Sequence, residues 1–126
     1  MSNPKILVVD DDRSHRQLVA GILSTRGYVV EMAADGEIAL ELVTRAPFDL
    51  AVIDYMMPGM NGVETFRAAR KICPTLVGVF VTAHANINTI FPAVDAGIER
   101  VLAKPANAEE LLAVVDELLG AGKHSG

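Results

Sequence analysis

Short β-branched runs alternate with longer amphipathic stretches along the whole chain, and this alternation constrains the fold more than any other feature of the sequence. Apolar residues three or four positions apart in the longer stretches are typical of helices with one buried face. Strands are predicted at residues 5–9, 28–32, 49–53, 76–81 and 98–103. Helices are predicted at about 14–26, 36–45, 62–72, 86–96 and 107–119. Such an order favours a parallel sheet covered by helices on both faces.

A doubly wound α/β fold in a single domain is the predicted architecture. Crossovers between parallel strands are right-handed, which leaves few other arrangements. The chain has 126 residues, of which 51% are hydrophobic, and this is enough to bury a core without disulfides. We expect the domain to span residues 1–120 and the small, polar segment 121–126 to be a flexible tail or a linker remnant.

Composition argues against several classes of function. The net charge is −5 and the 11 basic residues are spread along the chain, whereas direct nucleic-acid binding needs a basic face. The longest apolar runs, such as LVGVFV, are far shorter than a membrane span, and the N-terminus lacks the pattern of a signal peptide. We therefore expect a cytoplasmic protein that contacts neither membranes nor nucleic acids. The single cysteine, Cys73, excludes an internal disulfide.

Charged and polar residues follow four of the five predicted strands. In a doubly wound sheet, ligands bind beyond the carboxyl ends of the strands, so these residues are expected to meet at one edge. They are Asp10, Asp11 and Asp12 after the first strand, Asp54 after the third, Thr82 after the fourth and Lys104 after the fifth. Two like charges about 4 Å apart repel by ~4 kcal/mol near a protein surface, so the acidic cluster indicates a bound cation.

The three consecutive aspartates are expected to have different tasks. Asp12 precedes the first predicted helix and is a favoured N-cap residue. Asp10 and Asp11 suit a hard divalent cation such as Mg²⁺, which prefers oxygen ligands. Asp54 is then a candidate nucleophile, because an aspartate can attack phosphorus to form an aspartyl phosphate. An ammonium group and a hydroxyl group at the same edge would neutralise and bind phosphate oxygens.

The motifs VVDDD, VIDYMMPGMNG, VTAHA and KP, in this order on the predicted strands, resemble the receiver domain of bacterial two-component response regulators. The resemblance covers nearly the whole chain. It implies a CheY-like, flavodoxin-like sheet with strand order 2-1-3-4-5. It also implies that a sensor histidine kinase or a histidine phosphotransfer protein donates a phosphoryl group, and that a downstream effector domain or protein receives the signal.

The same resemblance assigns the metal site and the acceptor. Asp54 is the implied phosphorylated residue, and Mg²⁺ (or Mn²⁺) is the implied cofactor. Asp11 would bind the metal directly and Asp10 through water, while Asp54 and the backbone carbonyl of Met56 would complete the protein ligands. The domain would be no enzyme in the ordinary sense, because it would catalyse only its own phosphorylation and dephosphorylation.

Further residues are assigned to phosphate binding and switching, again by resemblance. Thr82 would supply the switch hydroxyl with Ala83 beside it, and Lys104 would bind the phosphoryl group. Met56 and His84 would flank the path of the attacking water and tune the lifetime of the phosphate. The bond before Pro105 is implied to be cis. His84 and His15 are both expected to be exposed at the rim of the site.

Two positions depart from the family pattern. Val101 stands three residues before the lysine, where many receivers have an aromatic ring that reports phosphorylation. We therefore expect the loop after Thr82 to carry more of the signal. Pro92 lies inside the fourth predicted helix, where it removes a backbone donor and costs ~3 kcal/mol. We expect residues 86–91 to be kinked, distorted or poorly ordered, with regular helix only from about Pro92.

An aspartate-nucleophile phosphatase resembling the haloacid dehalogenase group is the alternative function. Such enzymes place Asp-x-Asp after the first strand, which would make Asp10 the nucleophile and leave Asp54 without a role. Arg13 also stands where that group prefers Thr or Val. Phosphate labelling of Asp10 or of Asp54 distinguishes the two functions. A flavin-binding domain is set aside, because carboxylates occupy the position of its phosphate loop.

Overall fold

The computed structural model describes residues 3–120, and of Ile87 only the backbone. The predicted tail 121–126 lies outside the described residues. Within them, five strands and five helices alternate along the chain. The strands are β1 (Lys5–Val9), β2 (Val29–Ala33), β3 (Leu50–Asp54), β4 (Val77–Thr82) and β5 (Arg100–Ala103). The helices are α1 (Arg13–Ser24), α2 (Gly36–Arg45), α3 (Gly62–Ile72), α4 (Ile87–Ala96) and α5 (Ala108–Leu119).

The described strands form one parallel sheet in the order β2-β1-β3-β4-β5, as predicted. Successive residues of a strand point to opposite faces, so the near-continuous apolar strands supply two cores. Leu7, Ile53 and Phe80 belong to the core beneath α2, α3 and α4. Val8 and Val52 belong to the core beneath α1 and α5. Burial on both faces explains why β1 and β3 lack a polar–apolar alternation.

An Asp or Asn side chain caps the N-terminus of each described helix. Asp12 caps α1 by accepting hydrogen bonds from the backbone of Ser14 and His15, at 3.0 and 3.3 Å. This confirms the predicted separate task of the third aspartate. The other caps are Asp35, Asn61, Asn86 and Asn107. The helices are 10 to 12 residues long, and none in the described part of the chain is long and apolar enough to cross a membrane.

The prediction that regular helix begins only near Pro92 is wrong. Helix α4 begins at Ile87 and runs through Pro92 to Ala96. Its first turn is closed by a capping box, in which Asn86 accepts from the Asn88 amide and the Thr89 hydroxyl accepts from the Asn86 amide. Pro92 has no backbone N–H, so it leaves only the carbonyl of Asn88, four residues earlier, without its helical hydrogen-bond donor. Asn88 is exposed, so water can replace that hydrogen bond.

The strand register brings the predicted site residues to one edge of the sheet. Val9 pairs with Ile53, so the next residue of each strand, Asp10 and Asp54, lies at the same level. Thr82 pairs with Ala103, and the following amide, that of Lys104, donates to the Thr82 carbonyl at 2.9 Å. The carboxyl ends of β1, β3, β4 and β5 therefore share one side of the molecule.

Candidate functional site

The acidic residues after β1 and β3 surround a cavity at the carboxyl edge of the sheet. One carboxylate oxygen from each of Asp10, Asp11 and Asp54 lies within 4.8 Å of the other two. The cavity itself is lined by Asp11, Asp12, Asp54, Met56, Ala83, His84 and Lys104. Most of the residues that the sequence placed at this edge are thus brought together, although they come from separate parts of the chain.

Lys104 connects the two buried carboxylates. Its Nζ lies 3.2 Å from Asp10 Oδ1 and 3.2 Å from Asp54 Oδ2. Burial lowers the pKa of this ammonium group, but attraction by Asp54 and Asp10 outweighs it, so the pKa is raised overall. The ammonium group is therefore charged in the pocket. The Lys104–Pro105 peptide bond is cis, as the resemblance implied.

Asp10 is held from several directions and is only 3% exposed. Its Oδ1 accepts from the Asp12 amide at 2.9 Å as well as from Lys104, and its Oδ2 lies 2.7 Å from His15 Nδ1. Burial raises the pKa of Asp10, but the hydrogen bonds from Asp12 and His15, together with Lys104, lower it overall. Asp10 therefore stays ionised and fixed in orientation.

His15 is buried, and the prediction that it is exposed at the rim is wrong. Its residue exposure is 6%, and its ring lies between Asp10 and the backbone amide of Ala106, which is 3.0 Å from Nε2. Its position four and eight residues before the buried Val19 and Leu23 was a usable signal, because residues four apart share a helix face. The histidine extends the buried row of α1 by one turn.

Arg16 is a second contact that the sequence did not reveal. Its Nη1 donates to the backbone carbonyl of Asp10 at 2.8 Å. The contact ties α1 to the end of β1 at the first residue of the acidic cluster. A local pattern gives no indication of it, since the acceptor is a backbone atom that any residue would supply.

Asp54 has fewer donors than Asp10, although it is almost as buried, at 5% exposed. One oxygen accepts from the Met56 amide at 3.3 Å and the other from Lys104. Burial and the nearby charge of Asp10 raise the pKa of Asp54 to about 6, with Lys104 and the Met56 amide acting in the opposite direction. Asp54 is therefore ionised at neutral pH but incompletely stabilised as an anion.

Thr82 lies at the end of β4 but does not border the described cavity. It is 1% exposed, and its hydroxyl oxygen accepts from the His84 amide at 3.1 Å. The next residues, Ala83 and His84, are exposed and line the cavity, and His84 is at the rim as predicted. Met56 also lines it and is 63% exposed. The hydroxyl oxygen accepts this hydrogen bond with a lone pair, so its own hydrogen is still available for donation.

The donor set fits a hard divalent cation. Its side-chain ligands are carboxylate oxygens only, and Asp11 is exposed to the cavity while Asp10 is buried behind it. Mg²⁺ typically binds one or two carboxylates and keeps several waters, so an open acidic cavity is a suitable site. Three carboxylates facing one ammonium group also leave an excess of negative charge for a cation to neutralise.

Known proteins share both this sequence and this fold. The model of the response regulator receiver domain family matches residues 6–116. The response regulator MprA of Mycobacterium leprae is 42% identical over 115 residues, which are 91% of this chain and 50% of that protein. The chain therefore spans about half the length of the curated relatives that it matches.

Solved structures agree with this match. A CheY-like response regulator receiver domain protein from Methanospirillum hungatei superposes with a TM-score of 0.89 at 32% identity, covering 99% of this chain and 100% of that one. A response regulator from Burkholderia pseudomallei has a TM-score of 0.84 at 28% identity, covering 98% and 72%. That structure contains a phosphorylated aspartic acid, a calcium ion and citrate.

Proposed function

The chain belongs to the response regulator receiver domain family, and we propose that Asp54 accepts a phosphoryl group from a partner phosphohistidine in a magnesium-dependent reaction. One observation carries the proposal: a single cation, Lys104, contacts two buried carboxylates, and of these only Asp54 lines the cavity. Receiver domains are generally not enzymes in the usual sense. Here the domain would catalyse only its own phosphorylation and dephosphorylation.

Asp10, Asp11, Asp54 and the backbone carbonyl of Met56 would hold Mg²⁺ or Mn²⁺. Asp11 would be the direct carboxylate ligand, and Asp10, which does not line the described cavity, would act through water. When bound, the metal would supply positive charge against the phosphoryl oxygens. The Burkholderia regulator, whose structure contains both a phosphorylated aspartic acid and a calcium ion, supports an aspartate acceptor and a divalent cation for this chain.

Asp54 would act as the nucleophile. A carboxylate oxygen donates an electron pair to phosphorus, the O–P bond forms, the N–P bond breaks, and the imidazole of the donor keeps the electron pair of the broken bond. The incomplete hydrogen bonding of Asp54 favours this role, since a carboxylate with few donors has lone pairs available. Lys104 Nζ already contacts Asp54 and would neutralise charge on the transferred group.

Thr82 and Lys104 would report the modification. The Thr82 hydroxyl would donate its hydrogen to a phosphoryl oxygen, with Ala83 moving in the same loop. This would shift a two-state equilibrium of the β4–α4 loop. Val101 is half-buried and has no ring to rotate, so the loop backbone would carry the signal. The exposed side chains of Met56 and His84 flank Asp54 at the cavity and would tune the lifetime of the phosphate.

The partners are proposed from the family. A sensor histidine kinase or a histidine phosphotransfer protein would dock near the N-terminus of α1, where Arg13 and Ser14 are exposed beside the acidic site. His15, in the same turn of α1, is too buried to take part in such a contact. A downstream effector domain or protein would receive the signal. The domain range 1–120 and a tail or linker remnant at 121–126 remain our proposal.

The phosphatase alternative finds less support from the site. It requires Asp10 as the nucleophile, yet both oxygens of Asp10 are engaged by donors, and Asp10 is not among the residues lining the cavity. A buried carboxylate with three donors would have to break hydrogen bonds before it could attack phosphorus.

The proposed function is tested by labelling with a small phosphodonor. We expect the intact protein, incubated with acetyl phosphate and Mg²⁺, to gain the mass of one phosphoryl group, and peptide mapping to place that group on Asp54. Asp54→Asn should abolish the label, and a chelator should do the same to the wild type. Asp95→Asn, at an exposed aspartate of α4, is the matched control and should label normally. Labelling that persists in Asp54→Asn, or that maps to Asp10, would contradict the proposal.

A further inference from the structure

We propose that His15 is a positioning residue, which holds Asp10 and the loop carrying Lys104 at the spacing that metal binding and phosphorylation require. The imidazole lies 2.7 Å from Asp10 Oδ2 on one side and 3.0 Å from the Ala106 amide on the other. The inference rests on the proposed function and concerns a residue outside the family motifs described above.

The contacts determine which ring nitrogen of His15 carries the proton. A backbone amide can only donate, so Nε2 must accept from Ala106 and therefore has a free lone pair. Nδ1 then carries the hydrogen of the neutral ring and donates it to Asp10 Oδ2. Both ring nitrogens are thus used, and each contact requires this one tautomer.

These contacts form a closed ring of contacts beside the acidic cavity. His15 contacts Asp10, Asp10 contacts Lys104, and Ala106, which contacts His15, follows Lys104 by two residues. The ring joins β1, α1 and the loop between β5 and α5. Both members of the Asp10–Lys104 pair are therefore positioned by the same imidazole, one through its side chain and the other through its loop.

An apolar side chain could not replace His15 without loss, because both ring nitrogens have polar partners. The residue continues the buried row of Val19 and Leu23, where an aliphatic side chain would pack well. An aliphatic residue would nevertheless leave Asp10 Oδ2 and the Ala106 amide without their partners, and buried polar groups are nearly always hydrogen-bonded. Removing a group that hydrogen-bonds to a metal ligand and orients it typically weakens metal binding by about 10–100-fold.

Three substitutions separate the two contacts of the imidazole, one with Asp10 and the other with the Ala106 amide. In His15→Asn the side-chain amide can donate near the position of Nδ1, which keeps the Asp10 contact and loses the Ala106 contact. In His15→Gln the longer side chain can accept near the position of Nε2, which keeps the Ala106 contact and loses the Asp10 contact. His15→Leu loses both. All three are compared with the wild type in the full chain.

The measurements are the Mg²⁺ dissociation constant by calorimetry and the hydrogen exchange of the Ala106 amide in metal-free protein. We expect His15→Leu to weaken Mg²⁺ binding about 10-fold. We also expect it to speed Ala106 exchange about 10-fold, because the amide loses its hydrogen bond. His15→Asn should keep most of the Mg²⁺ affinity but leave Ala106 exchange fast. His15→Gln should keep Ala106 exchange slow but leave Mg²⁺ binding weak. If His15→Leu does not fold, the Asn and Gln variants still distinguish the two contacts.

Two controls separate positioning from stability. Val19→Ala, one turn further along the buried row of α1, should lower stability but leave the Mg²⁺ dissociation constant unchanged. His15→Leu should add little to the loss of Mg²⁺ affinity caused by Asp10→Asn, because the histidine acts through Asp10. An independent effect of the two substitutions would overturn the proposed route.

NMR of the ring nitrogens in metal-free protein tests the geometry directly. The proposal requires hydrogen at Nδ1, and a ring with hydrogen at Nε2 would overturn it. A His15→Leu variant that binds Mg²⁺ and is phosphorylated like the wild type would also overturn the proposal. Absence of any Asp54 label in the wild type would contradict the proposed function instead, while the tautomer and the Ala106 exchange would still show whether the ring of contacts exists.

Discussion

The end of β1 and the end of β3 each place a buried aspartate beside the same lysine, yet the two carboxyl groups differ in their electrostatics. At the end of β1, the Asp12 amide, His15 and Lys104 surround Asp10, and its pKa is lowered overall. At the end of β3, Asp54 has only the Met56 amide and Lys104, and its pKa is raised to about 6.

The two carboxyl groups differ in the number of their donors rather than in burial or in the shared cation. Both residues are almost fully buried, so desolvation acts on both. Asp10 receives one more side-chain donor, and that donor is His15. A carboxylate saturated with donors is stable and rigid, whereas one with spare lone pairs can attack an electrophile.

The comparison predicts that the same conservative change has opposite effects on stability at the two positions. At pH 7.5 without metal, Asp54→Asn should raise the free energy of unfolding by roughly 2 kcal/mol, because it removes a disfavoured anion. Asp10→Asn should lower it by roughly 2 kcal/mol, because His15 and Lys104 lose their acceptor. Urea denaturation followed by circular dichroism measures both values, with Asp95→Asn as the exposed control.

The pH dependence sharpens the first prediction. The folded pKa of Asp54 lies above the ordinary value of 3.8, so its protonated form stabilises the fold below pH 3.8 and this stability is lost as pH rises through about 6. The advantage of Asp54→Asn should therefore appear between pH 4 and 7. Asp10 has a lowered pKa, so its contribution should be lost as pH falls. Parallel curves for the two variants would contradict the comparison.

Removing the shared cation should destabilise both regions together. Lys104→Met leaves two buried carboxylates close to each other without their ammonium partner, and we expect a loss of about 2 kcal/mol at pH 7.5. The loss should shrink at pH 5, because Asp54 can take up a proton. Lys71→Met, at an exposed lysine of α3, should change stability little. A loss that is equal at both pH values would show that repulsion between the carboxylates is not its cause.

Metal binding should reduce the difference in the free energy of unfolding between Asp54→Asn and the wild type. Mg²⁺ at ten times its dissociation constant should raise the free energy of unfolding of the wild type by about 1.4 kcal/mol. Asp54→Asn lacks one ligand and should gain less, so its advantage over the wild type should narrow as Mg²⁺ is added. Thermal unfolding across a Mg²⁺ titration measures the effect, with a Na⁺ series at matched ionic strength as the control for charge screening. An equal gain in both proteins would place the metal away from Asp54.

Much of the site could be predicted because its signals are local. Asp54 and Lys104 each directly follow a predicted strand, and parallel strands bring their carboxyl ends to one edge. The N-cap role of Asp12 was also predictable, since a cap depends on the next three residues. Helix α4 begins earlier than Pro92 predicts, because the capping box around Asn86 stabilises its first turn.

The sequence by itself determined the order of strands and helices, the sheet and the group of residues at its carboxyl edge. Only the tertiary structure decided which donors reach which carboxylate. Ala106 lies 91 residues from His15, and Lys104 lies 94 residues from Asp10. Periodicity and capping are set by neighbours within a turn or a strand, whereas the number of donors around a buried acid depends on the packing of elements far apart in the chain.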